Sequence, residues 1–400
     1  MIETIMRCPR LGNETQQEKT QARTPALPAN RTSLMTDIAG KPASLPAVRS
    51  DILPRLLGKA EYIVIPILAV LGALILFSVF LIAIGKSPLT FIELIWTGAF
   101  GSGFSWRNTL QRASPLILTA LAVAIPARLG LTMIGGEGAL VLSGFMAAVV
   151  ALPFIGTGTS AILVMPLMAL TAMATGAVWV AMAGWLRHAR GVNETISSLL
   201  LSYIAIAIMN FFVEGALRDP GSPNKASTKP IGAEYMVGTI PGLDVHWGIL
   251  IGVVIAIALY FLMARTTFGF AARVTGGNVR AALAQGLPVG RLILTCGLLA
   301  GACAGLAGYF EVGAIQGRAN ASLAAGYGFT GILVSFLARH NPIAVVPVAI
   351  LFGGLAAAGG LIQRRMGVPD ATVLVLQGFI FVVLLASETL YGRFAIFRQR

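Results

Sequence analysis

RTTFGFAARVTGGNVRAALAQGLPVGR, residues Arg265–Arg291, is a polar, basic island between two apolar runs, Trp247–Ala264 and Leu292–Ile315. It holds four arginines (Arg265, Arg273, Arg280 and Arg291) and no acidic residue. A loop this basic between two membrane spans belongs on the cytoplasmic side. Within it, Asn278–Gln285 reads as a short helix, with Asn278 as N-cap and Gly286 as stop. A helix this short does not persist alone in water, so it is expected to pack on something. One reading makes it a dock for a cytoplasmic partner. The other makes the island an ordinary solvated loop.

Composition sets the class. The chain has 400 residues, 56% hydrophobic and only 11% charged. Soluble domains carry about 25% charged residues, so the sequence describes an all-α polytopic membrane protein. The net charge of +13 raises nucleic acid as a partner, but the basic residues are scattered between apolar runs and form no nucleic-acid module. Cytoplasmic loops facing anionic membrane lipid account for the charge better. Cys296 and Cys303 lie roughly 10 Å apart along a helix, too far for a disulfide, and read as packing residues.

Residues 1–59 are polar, with nine basic residues and no apolar period. They are expected to form a disordered cytoplasmic tail, followed by a transmembrane permease domain over 60–392 and a short cytoplasmic tail over 393–400. Ten spans are expected: Tyr62–Ile84, Leu110–Ala127, Leu131–Leu152, Ala161–Ala183, Ile196–Val213, Trp247–Ala264, Leu292–Ile315, Ala324–Ala338, Pro342–Ile362 and Ala371–Leu390. Gly85-Lys86-Ser87 has the ending of a phosphate-binding loop, but Phe80 stands where the first glycine is required, and the motif is rejected. Pro88–Gly103 reads as an amphipathic segment along the interface, with Phe91, Leu94, Ile95 and Trp96 opposite Glu93. Asn193-Glu194-Thr195 reads as the cap of the fifth span. The glycine pairs Gly353-Gly354 and Gly359-Gly360 are expected to interrupt the ninth.

Two stretches share a G-x-G start and a small-apolar rhythm, GEGALVLSGFMA (Gly136–Ala147) and GYGFTGILVSFLA (Gly326–Ala338). In the expected topology they run in opposite directions. Spans two to five and seven to ten then form two inverted repeats with broken helices, and a pathway runs between the halves. Gly297, Gly301, Gly305 and Gly308 form a stripe that allows close helix approach. An intramembrane carboxylate is a functional candidate by default, which singles out Glu137 and Glu311. For Glu137 the competing reading is a helix cap near the interface.

Four stretches carry a family resemblance: GGEGALVLSG (Gly135–Gly144), NETISSLLLSYIA (Asn193–Ala205), RVTGGNVRAALAQGL (Arg273–Leu287) and GYFEVGAIQGRANASLAAGYGFTGILVSFLARHNP (Gly308–Pro342). The chain resembles the inner-membrane permease subunit of a bacterial ABC importer. The family is that of the branched-chain amino acid and ribose permeases, in its nucleoside and simple-sugar branch. The resemblance covers about residues 60–390. Thr132-Met133 stand where that branch usually has Phe-Asn, and Gly136 where alanine is common.

The resemblance implies a multi-pass protein of the bacterial inner membrane that is not an enzyme and carries no cofactor. Its implied partners are two cytoplasmic ATPases, a second permease subunit (a paralogue or itself) and an external substrate-binding lipoprotein. It implies that the island is the ATPase-coupling element, through Arg273, Gly276, Asn278, Arg280, Ala281, Ala282 and Gly286. Candidate residues of the translocation path are Glu137, Glu311, Gln316, Tyr327 and Phe329, each also readable as packing or capping. The competing class is an ion-coupled secondary transporter, which needs intramembrane carboxylates as ion sites. A membrane enzyme is poorly supported, because His188, His246 and His340 all sit at span ends without metal-like spacing.

Overall fold

Several long helices begin at a side-chain cap, and those ending at Arg190 and Met366 stop at left-handed glycines, Gly191 and Gly367. The structure, a computed structural model, describes residues 52–388, with side chains from Ile65 to Ser387. The helices are α1 (Ile52–Ala83), α2 (Pro88–Phe100), α3 (Gly103–Ala127), α4 (Gly136–Ala151), α5 (Ala161–Arg190) and α6 (Glu194–Glu214). They continue with α7 (Gly248–Arg265), α8 (Thr267–Gly277), α9 (Val279–Ala284), α10 (Val289–Phe310), α11 (Tyr327–Leu337), α12 (Pro342–Met366) and α13 (Ala371–Glu388). Serine or asparagine side chains cap several N-termini: Ser102 on α3, Ser160 on α5, Asn193 on α6 and Asn341 on α12. Each satisfies backbone N–H groups that the helix leaves unpaired.

Among the described residues, eight helices are long and apolar enough to cross a membrane. The other two expected spans are the shorter helices α11 and α13. At 11 residues, α11 spans only about 16 Å, roughly half a bilayer core. The backbone leaves α-helical form at 128–135 before α4 and again at 317–326 before α11, where one short 3-10 turn intervenes. The expected tails lie outside the described residues over 1–51 and 393–400, but residues 52–59 are helical, as the start of α1.

The packing follows the expected repeats. α3 packs on α12 and α11, while α10 packs on α5 and α4. Exchanging α3 with α10, α4 with α11 and α5 with α12 turns one set of contacts into the other, and α3 with α10 and α4 with α11 pack across the centre. Three glycines of the stripe, Gly297, Gly301 and Gly305, make the α10–α5 contact, and the fourth, Gly308, meets α4. A Cβ on Gly301 would overlap Gly176 O and stand 2.7 Å from Ala177 Cα, and one on Gly305 would stand 3.1 Å from Met173 Cα.

Two expectations are corrected. α12 is continuous through Gly353-Gly354 and Gly359-Gly360. Its glycines are there for contact: a Cβ on Gly353 would stand 2.7 Å from Thr109 O, and one on Gly354 2.9 Å from Ala99 Cβ. α2 is apolar on both faces. Phe91 and Ala99 are buried, with Leu94 and Ile95 packed on the core, while Leu89 and Trp96 are exposed with Glu93. The rejected phosphate-loop ending joins elements: Lys86 Nζ donates to Met366 O at 2.7 Å and Ser87 caps α2.

Candidate functional site

The two G-x-G starts meet. Glu137, in the first turn of α4, is 1% exposed. Its carboxylate accepts N–H bonds from Gly326 at 2.7 Å and Gly328 at 2.5 Å. Glu137 therefore caps a helix N-terminus, as one reading of the sequence held, but the helix is α11 and not its own. Glycine at 328 makes the approach possible, since a Cβ there would stand 2.5 Å from Glu137 Cα. Gly326 adopts φ +83, a left-handed turn that feeds α11. A buried carboxylate needs such compensation: two N–H donors and the positive end of a helix dipole stabilise its charge.

Around this crossing lies a polar cluster. α10 ends in a π-helical turn, Glu311–Gln316, a form often found at functional sites. It returns Gln316 so that its Nε2 donates to Glu311 Oε1 at 3.0 Å. Glu311 Oε2 and Gln316 Oε1 are buried with no hydrogen-bond partner among the described residues. Thr119 Oγ1 on α3 lies 3.1 Å from Tyr327 O. Arg112 on α3 interacts with both Tyr327 and Glu311. Beside the cluster is a cavity of about 260 Å³ lined by Arg112, Tyr327, Thr330, Asp370, Val373 and Gln377, among others. Thr330 Oγ1 donates to Gln377 Oε1 at 3.2 Å.

Four of the five path candidates, Glu137, Glu311, Gln316 and Tyr327, thus fall in one region. Phe329 does not join them: it is 40% exposed. Arg112, Thr330, Asp370 and Gln377 were not singled out by sequence reasoning. A signal existed for Gln377, the one amide inside the apolar run of α13. Its relevance needed the fold, which places it opposite α11.

The second candidate region is the basic island. It folds as two helices. The first half of the island, for which the sequence reading named no element, forms α8 with Thr266 as its N-cap. Gly269 and Gly276 mask it in the sequence, and both serve close contacts, Gly276 against Leu129 at 3.0 Å for an added Cβ. Then Asn278 Oδ1 accepts N–H bonds from Arg280 at 3.0 Å and Ala281 at 3.1 Å, and α9 ends at Gly286 with φ +76. Ala282 is buried beneath α9. Val279, 49% exposed, and Leu283, 58% exposed, lie one turn apart with Arg280 on its outer surface. Arg273 is tied down, its Nη1 donating to Met263 O. Other loops meet at this end: Gly290 abuts His188, and Arg128 Nη2 donates to His340 O at 3.0 Å.

The branched-chain amino acid transport system permease component family matches residues 105–385. The chain belongs to this family. It is the permease component of an ABC transporter, a multi-pass protein of the cytoplasmic membrane and a transport subunit in place of an enzyme. This sets aside the ion-coupled alternative. The permease is 34% identical over 338 residues to the glucose ABC transporter permease protein TsgB13 of Haloferax volcanii, covering 81% of this chain and 87% of the relative. It is 30% identical over 336 residues to the guanosine ABC transporter permease protein NupP of Bacillus subtilis, covering 82% and 94%. It is 28% identical over 331 residues to the nucleoside ABC transporter permease protein NupB of Lactococcus lactis, covering 80% and 90%.

Proposed function

We infer that this permease carries nucleosides or a simple sugar inward, in complex with cytoplasmic ATPases, a second permease subunit and an external substrate-binding lipoprotein. The observation that carries the reading is the pair of relatives at 34% and 30% identity, one a glucose permease and the other a guanosine permease. Both cargoes are neutral rings rich in hydroxyl groups. The cavity between α3, α11 and α13 offers matching chemistry: the Tyr327 ring, the Thr330 hydroxyl, the Gln377 amide, and one group of each charge in Arg112 and Asp370. Aromatic faces and amide or carboxylate hydrogen bonds are what such rings require.

The exposed surface of α9 supports its assignment as the ATPase-coupling element. Two apolar side chains at i and i+4 flanked by Arg280 form a ridge that fits a groove, the usual mode for an amphipathic helix. Gly276, Asn278, Ala281, Ala282 and Gly286 shape and seat that ridge, and Arg273 braces α8. Movement of the seated ridge on nucleotide binding would switch the spans between two states.

The test is uptake of labelled guanosine and glucose into proteoliposomes holding the permease, its ATPases and the binding lipoprotein. Uptake of one cargo that requires ATP supports the reading. Uptake that proceeds without ATP, or follows only an imposed ion gradient, overturns it.

A further inference from the structure

The turn that ends α10 carries two acceptor atoms with nothing to accept from. Glu311 is 4% exposed, and its Oε1 takes a bond from Gln316 Nε2 at 3.0 Å. The two oxygens left over, Glu311 Oε2 and Gln316 Oε1, are acceptors. Both are buried and have no hydrogen-bond partner among the described residues. Buried acceptors of this kind destabilise a fold unless a donor reaches them.

The pair is held in place. Val237 N–H donates to Gly313 O at 2.7 Å and Ile231 N–H to Gly317 O at 2.9 Å. Thr228 N–H donates to Ala319 O at 2.9 Å, and Thr228 Oγ1 accepts the Ala319 N–H at 3.0 Å. Part of the long loop between α6 and α7 is thereby laced along the turn and the stretch after it. Tyr235 anchors that part: it is 1% exposed, and its hydroxyl donates to Phe154 O at 2.9 Å. A pair fixed in advance loses less entropy on binding than a mobile one.

Charge and hydrogen bonding separate what could satisfy the pair. Arg112 on α3 supplies the charge opposite Glu311, while Glu137 has the N-terminus of α11. A further cation is not needed; two neutral donors are. Arg112 and Tyr327 interact with each other and with Glu311, and both line the cavity of about 260 Å³. The pair adjoins the cavity through them. A ribose and a hexose share two hydroxyl groups on adjacent ring carbons, and each hydroxyl is a donor. A carboxylate set against a ribose hydroxyl is the arrangement used in dinucleotide sites. We propose that Glu311 Oε2 and Gln316 Oε1 bind the adjacent hydroxyl pair of the cargo's sugar ring, a specificity site that rests on the reading of the cargo as a nucleoside or simple sugar.

ATP-dependent uptake into proteoliposomes holding the whole transporter tests this, with guanosine against 2′-deoxyguanosine and glucose against deoxyglucoses lacking one ring hydroxyl in turn. The binding lipoprotein is the same in every arm, so a change of preference between permease variants belongs to the permease. The wild type should prefer the intact hydroxyl pair. Glu311→Gln, which replaces one acceptor by a donor, should cut that preference about tenfold, and Gln316→Leu about fivefold, the values of one hydrogen bond to a charged and to a neutral group. A role confined to stability would lower uptake of both members of a pair and leave their ratio alone. The two variants are independent, so misfolding of one leaves the other as the test. Wild-type uptake that ignores the missing hydroxyl would overturn the inference alone. So would an unchanged ratio in a folded variant, which would assign the two oxygens to ordered water. Absence of ATP-dependent uptake of either cargo would overturn the functional reading and this inference together.

Discussion

Replacing Gly301 by alanine adds one methyl group at the crossing of α10 and α5. That carbon would overlap Gly176 O and stand 2.5 Å from Gly176 C and 2.7 Å from Ala177 Cα. Carbon atoms pack at about 3.5–4.0 Å, so the helices must separate by about 1 Å. The three nearest atoms all belong to the backbone, so no side chain can rotate away. The separation spreads along the stripe, because Gly297 and Gly305 meet α5 one turn to either side. A radial gap of about 1 Å forfeits up to half of a van der Waals well, and in a membrane such packing is a main source of helix association. The cost should reach about 3 kcal/mol, the upper part of the usual range for overpacking. At roughly 2 °C per kcal/mol for a large domain, Gly301→Ala should melt about 6 °C below wild type in detergent. Gly301→Leu should not assemble. Gly378→Ala is the control, because an added Cβ there meets nothing within 4 Å; it should melt at or above the wild-type temperature. A Gly301→Ala protein that melts with wild type and transports normally would refute the reasoning.

Three further outcomes follow from the sites. Glu137→Ala leaves the Gly326 and Gly328 N–H groups unpaired, each costing about 1–3 kcal/mol. It should lower both melting temperature and uptake, while Glu137→Gln, which keeps one acceptor oxygen, should fall between; equal melting of all three proteins would show that the cap is not needed. Arg280→Glu on the exposed α9 should abolish ATP-dependent uptake at normal expression and melting temperature, whereas Arg273→Glu should also lower stability by losing its bond to Met263 O; unchanged uptake in Arg280→Glu would end the coupling assignment. His340, with Nδ1 2.9 Å from Ser335 Oγ, has its imidazole pushed from 6.5 down to about 4 by burial first and then by Arg128 and Arg339. The unfolded chain therefore binds more protons between about pH 6.5 and 4, so this contribution is complete above pH 6.5 and is lost as pH falls toward 4. The melting difference between wild type and His340→Gln should shrink over that window, and a difference independent of pH would show that His340 does not titrate there.

The sequence by itself determined the class, the family and the repeat. Apolar runs long enough to cross a bilayer have few soluble alternatives, and caps such as Asn193 and Asn278 act within their own helix, so they are legible locally. The stripe Gly297, Gly301, Gly305 and Gly308 was legible for the same reason: its spacing puts all four on one helix face. The glycines of α12 were misread because glycine serves two ends, breaking a helix or admitting a neighbour, and only the neighbour decides. At Gly353 that neighbour is α3, 240 residues away in the chain, and it keeps the helix whole. Glu137 posed the same problem. Its residue type announced a buried carboxylate with a role, but its partners are backbone N–H groups, which every residue has and no sequence distinguishes. Only the packing of α4 against α11 brought Gly326 and Gly328 to it. The same packing gathered Arg112, Tyr327, Thr330 and Gln377 from three helices around one cavity, a grouping set by tertiary contacts and by no local period.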